Sequence, residues 1–295
     1  MQQLPPSAPD HYRSRLALQV ATLNAVRRLW GRMGTDFDAS WAQIGPQILL
    51  VVSAAQLQAA AEAEAYVALA ALEQGIDPAA EAALAARAFL GWASDGRPMA
   101  TLLDQAVVQA KAGVKDGMGV REALARGMRF LDRTTLTQVA DTGRGAELVT
   151  MTATPAVTGY VRMLNPPSCS RCVILAGKHF TWNNDFRRHP RCDCLTIPSS
   201  INLSADAAKV VNPEAYFTSL TPQQQVATFG TDGARAIRDG ASPITVVNAS
   251  RGTFTPTGRR APTAAARRMP GDIYAEAGDD RARAVELLRS EGYLT

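Results

Sequence analysis

Cys169-Ser170-Arg171-Cys172 and His189-Pro190-Arg191-Cys192-Asp193-Cys194 hold every cysteine of the chain within 26 residues. Two close pairs joined by a short loop read as a metal knuckle or a disulfide staple rather than as scattered core thiols. A CxxC turn presents two thiolates from one tight loop, and zinc takes four such ligands in a tetrahedron. The second half offers His189, Cys192 and Cys194 where only two are needed. Cys-x-Cys spans an awkward angle for one ion, so His189 with one cysteine and the two cysteines without His189 are alternative sets. A disulfide between the pairs and reduced, ion-free thiols are the other two readings. A four-ligand zinc site has no open position for water, which makes a structural role the expected one.

Working outward, this cluster divides the sequence into halves of different character. On the N-terminal side the chain is Ala-rich and helical in period. Leu16, Val20, Leu23, Val26 and Trp30 recur at three- and four-residue spacing, which predicts a helix over 12–30. A longer helix is expected over about 46–73, stopped by Gly75. Asp77-Pro78 opens another through about Trp92, with Asp77 as N-cap. Helices over 98–115 and 120–141 complete an antiparallel bundle. Beyond Gly143-Arg144-Gly145 the pattern shortens. Residues 157–164, 172–175 and 194–197 read as strands framing the cysteines. Residues 213–220, 222–229 and 232–238 read as short helices, with Thr221 and Thr231 as caps. Residues 244–248 suit either state, and an amphipathic helix over 279–289 ends at Gly292. The expected fold is therefore mainly α with a small α+β C-terminal domain. Its expected parts are a protein-contact bundle over 1–145 and a Cys-rich domain over 146–295.

The 295 residues, 46% apolar, suffice for one large or two ordinary cores. The strongest apolar run, Ile48 to Val52, soon meets Gln56, Gln58, Glu62 and Glu64, so no membrane span is expected. No secretory signal is evident either, and a reducing cytoplasm favours metal over disulfide. The net charge of +4 is uneven: residues 1–145 carry fourteen basic and fourteen acidic side chains, residues 146–295 seventeen and thirteen. Arg251, Arg259, Arg260, Arg267 and Arg268 fall in one Pro/Gly-rich stretch with no acid before Asp272. That stretch is either a solvated loop or a contact for a polyanion such as DNA.

Enzyme signatures are weak. A treble-clef nuclease of the His-Asn-His type also joins CxxC to histidines, and His179, Asn183, Asn184 and His189 lie in the intervening loop. Such an enzyme needs an Asp-His or His-His pair and a further histidine, and the chain has Lys178-His179-Phe180 with no histidine after Cys194. Gly230-x-x-Gly233 lacks the Gly-Lys-Ser/Thr of a phosphate loop. Phe180, Trp182 and Phe186 beside Arg187, Arg188 and Arg191 suit base stacking or a small knuckle core.

The run Cys169-x-x-Cys172, Ala176-Gly177, Phe180 and His189-Pro-x-Cys192-x-Cys194 resembles the Mu F-like minor capsid proteins of tailed phages, which often have Arg where Asp193 stands. The segment from Gln225 through Phe229-Gly230 to Asp239-Gly240 is similar to versions from phages of actinobacteria. So are Val246 to Gly252 and the closing Leu287-Leu-Arg-Ser-Glu-Gly-Tyr293. The resemblance covers about residues 150–295. It implies a non-enzymatic virion component of the capsid interior, present in the host cytoplasm during assembly and placed near the portal. Portal or major capsid subunits and packaged double-stranded DNA are the implied partners, with no small-molecule substrate. A zinc-stabilised nucleic-acid-binding protein and a metal-dependent nuclease are the competing expectations.

Overall fold

The computed structural model describes residues 5–164, 168–176, 178–181, 194–200, 212–249, 276–278 and 280–290. These are mostly helical, with one small three-stranded sheet. Contacts group the chain into two compact units: residues 3–161 with 179–205, and residues 162–178 with 206–295.

The first unit is a bundle around one long helix. It comprises α1 (Ser7–Trp30), α2 (Phe37–Ala61), α3 (Ala63–Leu72), α4 (Met99–Lys115) and α5 (Val120–Thr152). Asp36 caps α2 by accepting a hydrogen bond from the Ala39 N–H through its side chain, so the helix begins at Phe37, nine residues before the predicted start at Pro46. Pro46 lies inside the helix rather than opening it. The core joins Val26 and Trp30 of α1 to Ile44, Ile48 and Val52 of α2. Met99, Leu103 and Ala106 of α4 and Ala123 and Leu131 of α5 complete it. Close approach is built in at Gly127. A Cβ there would lie 2.6 Å from the Trp30 ring and 2.7 Å from the Ala106 carbonyl oxygen.

Two helix expectations are corrected here. The helix expected over 77–92 shrinks to a single 3-10 turn, Ala86–Phe89. Asp77 folds back on the Ala79 N–H, while the backbone of Glu81 donates to Ala153 O and that of Leu84 to the Glu64 carboxylate. Tertiary hydrogen bonds thus take the donors a helix would use. The other correction is that α5 continues through Gly143-Arg144-Gly145 to Thr152. Those glycines make room for neighbours instead of ending the helix. A Cβ on Gly143 would meet the Arg15 guanidinium at 2.6 Å, and one on Gly145 would meet the Phe89 ring at 3.3 Å.

The sheet has the order β2-β1-β3, with β1 (Gly159–Met163), β2 (His179–Thr181) and β3 (Leu195–Ser199). β1 and β2 are antiparallel, pairing Tyr160 with Phe180, whose rings stack at 5.3 Å. β2 was absent from the sequence reading, its three residues being too few for a periodic signal.

In the second unit, residues 172–175, expected as a strand, form α6 (Ser170–Leu175). α-Helical i to i+4 bonds run from Val173 N to Cys169 O and from Ala176 N to Cys172 O, so the β-branched pair Val173-Ile174 is overridden. The helices α7 (Pro213–Ser219), α8 (Pro222–Phe229), α9 (Thr231–Arg238), α10 (Pro243–Ala249) and α11 (Arg281–Ser290) follow. Thr221 makes the expected cap, a capping box with Gln224. Thr231 instead lies inside α9, and Gly230, at φ +76°, occupies the cap. Phe217 packs edge-on against Phe229 at 5.4 Å, and the Tyr216 hydroxyl accepts from the Ser168 N–H.

Candidate functional site

Cys169 and Cys172 are brought together by the first turn of α6. Cys169 is the half-buried N-cap residue and Cys172 is buried, with the two sulfurs 3.4 Å apart. Two zinc-bound thiolates at about 2.3 Å from one ion in a tetrahedron sit about 3.8 Å from each other, so this turn fits half of a zinc site. Cys194 belongs to the other compact unit, buried at the lead into β3, where its carbonyl accepts from Arg144 Nε at 3.1 Å. His189 and Cys192 lie outside the described residues, as do Arg251, Arg259, Arg260, Arg267 and Arg268. Among the described residues there is no group of three His, Cys, Asp or Glu side chains that could hold a metal.

His179, weighed above as a nuclease histidine, lies on β2 opposite Val161. Its Nε2 has no hydrogen-bond partner among the described residues, and burial pushes its pKa down. A Cβ on Gly159 would approach its Cε1 to 2.8 Å, so the glycine gives this imidazole its space.

A second cluster lies within the bundle, at residues that sequence patterning passes over. Glu147 of α5 is fully buried, and donors converge on its carboxylate from two elements. Arg15 Nη1 of α1 donates to Oε1 at 2.5 Å, and His11 Nε2 lies 2.9 Å from the same oxygen. The Thr196 hydroxyl of β3 donates to Oε2. Arg15 Nη2 also donates to Ala140 O at 2.5 Å. Tyr66 of α3 stacks on His11 with ring centroids 3.9 Å apart and donates its hydroxyl to Thr196 O at 2.6 Å. Burial opposes ionisation of Glu147, but the Arg15 charge and the His11 and Thr196 hydrogen bonds outweigh it and hold the carboxyl below its usual range. Burial, reinforced by Glu147, pushes the Tyr66 hydroxyl well above 10.0.

The same helix carries a buried ion pair, Arg144 Nη1 to Asp141 Oδ1 at 2.8 Å. It borders a cleft of about 370 Å³ walled by Phe89, Trp92, Ala93, Gly145 and Leu148. Chemically, the Glu147 cluster is suited to fastening α1, α3, α5 and β3 together. Its acid and histidine face protein donors and a tyrosine ring, with side chains of 7% exposure or less at His11, Arg15 and Glu147. None of these residues stands out in the sequence, and nothing in the spacing of residues 11, 15, 66, 147 and 196 signals their meeting. No family model matches the chain, and neither a curated protein nor a solved structure is similar to it.

Proposed function

We propose that the chain is a non-enzymatic minor capsid protein of a tailed phage, acting in head morphogenesis. It lies inside the head near the portal and contacts portal or major capsid subunits. The observation that carries this reading is the resemblance of Cys169-x-x-Cys172, Phe180 and His189-Pro-x-Cys192-x-Cys194 to the Mu F-like pattern. The 3.4 Å approach of the Cys169 and Cys172 sulfurs supports it, because a knuckle needs two thiols on one turn. In this reading zinc is structural. Cys169 and Cys172 supply two of its ligands. The five arginines of residues 251–268 contact the backbone of packaged DNA, an interaction that weakens steeply with salt.

Quantitative mass spectrometry of purified virions and empty proheads tests the proposal. A few to a few tens of copies of this chain per particle, relative to portal subunits, is the expected result. Absence from both particles removes the proposal.

A further inference from the structure

The turn that brings Cys169 and Cys172 together also suits a bond between them. Cys169 is the N-cap of α6 and Cys172 its third residue. The hydrogen bonds from Val173 N to Cys169 O and from Ala176 N to Cys172 O hold this backbone in a helical turn. Residues so placed have Cα atoms about 5–6 Å apart, the commonest separation across a disulfide. Their sulfurs are reduced and already meet at 3.4 Å. Closing to the bonded distance of about 2 Å needs side-chain torsion and little backbone movement. Access divides the pair, because Cys169 is half-buried while Cys172 is 1% exposed. Cys194, 2% exposed, belongs to the other compact unit, and its carbonyl is tied to Arg144.

We propose that Cys169 and Cys172 form a peroxide-sensitive dithiol, with Cys169 as the attacking sulfur and Cys172 as the resolving one. The Cys169 thiolate attacks one oxygen of hydrogen peroxide, the O–O bond breaks and hydroxide leaves. The product is a sulfenic acid at Cys169. The Cys172 sulfur then attacks that sulfur; the S–S bond forms, the S–O bond breaks and water departs. Two thiols and one peroxide thus give one disulfide and two waters, the sulfurs losing two electrons and the peroxide gaining them. Two equivalents of a small thiol reverse the step by exchange and leave as their own disulfide. Metal and disulfide exclude each other at this turn. A zinc site needs the two sulfurs as thiolates about 3.8 Å apart, whereas the disulfide fixes them, uncharged, at about 2 Å. In a zinc-loaded chain, one peroxide and two protons therefore yield the disulfide, two waters and the released ion. A reducing cytoplasm keeps the pair open for metal, and an oxidising medium closes it. The exclusion rests on the structural zinc proposed above; the disulfide does not.

The test uses the full chain, stripped of metal with a chelator, reduced, and treated with equimolar hydrogen peroxide. Alkylation and tryptic mapping follow. Trypsin cuts after Arg171, so the expected bond appears as two joined peptides, one with Cys169 and one with Cys172, while Cys192 and Cys194 are alkylated. Cys172→Ser should leave a sulfenic acid at Cys169 that dimedone traps, and Cys169→Ser should give no such adduct at the buried Cys172. With zinc loaded beforehand, ion release read by a chromogenic chelator should keep pace with loss of the two thiols. Bonds running mainly from Cys169 or Cys172 to Cys192 or Cys194 overturn the proposal. So does equal dimedone labelling of Cys172 in Cys169→Ser. Zinc retained by a chain that carries the Cys169–Cys172 bond overturns the exclusion. A chain that takes up no zinc yet closes this bond upholds the dithiol and removes the zinc knuckle instead.

Discussion

A carboxylate with no access to water must be repaid by its neighbours, and at Glu147 the neighbours come from distant parts of the chain. Arg15 stands 132 residues away and Thr196 stands 49 residues away. Removing one partner of such a buried pair leaves the other charge stranded, at a cost of about 3–5 kcal/mol. Glu147→Ala should therefore lower the Tm of the bundle by roughly 10 °C or more. Replacing an exposed acid such as Glu122 should change it little, as surface substitutions do. Differential scanning calorimetry checks this, and equal midpoints for the two variants would show that the cluster holds nothing. Here the sequence was least legible. His11 stood alone in a neutral, alanine-rich half, and its meaning depends on a residue 136 positions away. The cysteine pair was more legible because its partners are three residues apart and one helical turn suffices to join their sulfurs.

Elements followed their local signals wherever packing agreed with them. The extents of α1 and α4 and the Thr221 capping box were readable because period and cap chemistry act within a few residues, but the buried face of α1 was not, since Leu16 and Val20 are exposed while His11, Arg15 and Thr22 are buried. Residues 77–92 and 172–175 were misread for opposite reasons. In the first, helix signals lost their backbone donors to Glu64 and Ala153; in the second, two β-branched residues yielded to a turn started at Cys169. The glycines of α5 were misread as breaks because space for a neighbour leaves no mark on sequence period. Gly127 gives the sharpest test at this level. In an exposed helix an alanine would add about 1 kcal/mol of helix stability. Gly127→Ala should nonetheless destabilise by about 1–3 kcal/mol, because its Cβ would press on the Trp30 ring and on the Ala106 backbone, which cannot step aside. Urea unfolding followed by Trp fluorescence reads the difference, and a rise in midpoint would refute the tight α4–α5 crossing.

For the whole molecule, the buried groups set a pH window. The Glu147 carboxyl sits below its ordinary value of 4.5, so its stabilisation is complete above that value and is lost as pH falls through the lower folded value. The Tyr66 hydroxyl sits well above 10.0, so its contribution is complete below pH 10 and is lost as pH rises beyond it. His179, whose pKa burial pushes below its ordinary 6.5, makes stability begin to fall beneath that value, so it should be level only between about pH 7 and pH 10 and fall on both sides. Urea midpoints across that range check it, and Glu147→Gln should flatten the acid side; an unchanged acid slope would assign that side to other carboxylates. The Glu147 cluster also has a consequence for synthesis. At about 5–20 residues per second, Arg15 leaves the ribosome some 7–26 s before Glu147 does, and the Thr196 hydroxyl comes later still. The start of the first helix must wait in water, its guanidinium hydrated, although Val26 and Trp30 further along it already have their core partners from the second and fourth helices. A nascent chain stalled before residue 147 would have the segment around His11 and Arg15 unpinned and open to proteolysis, and one released past residue 199 would have it closed.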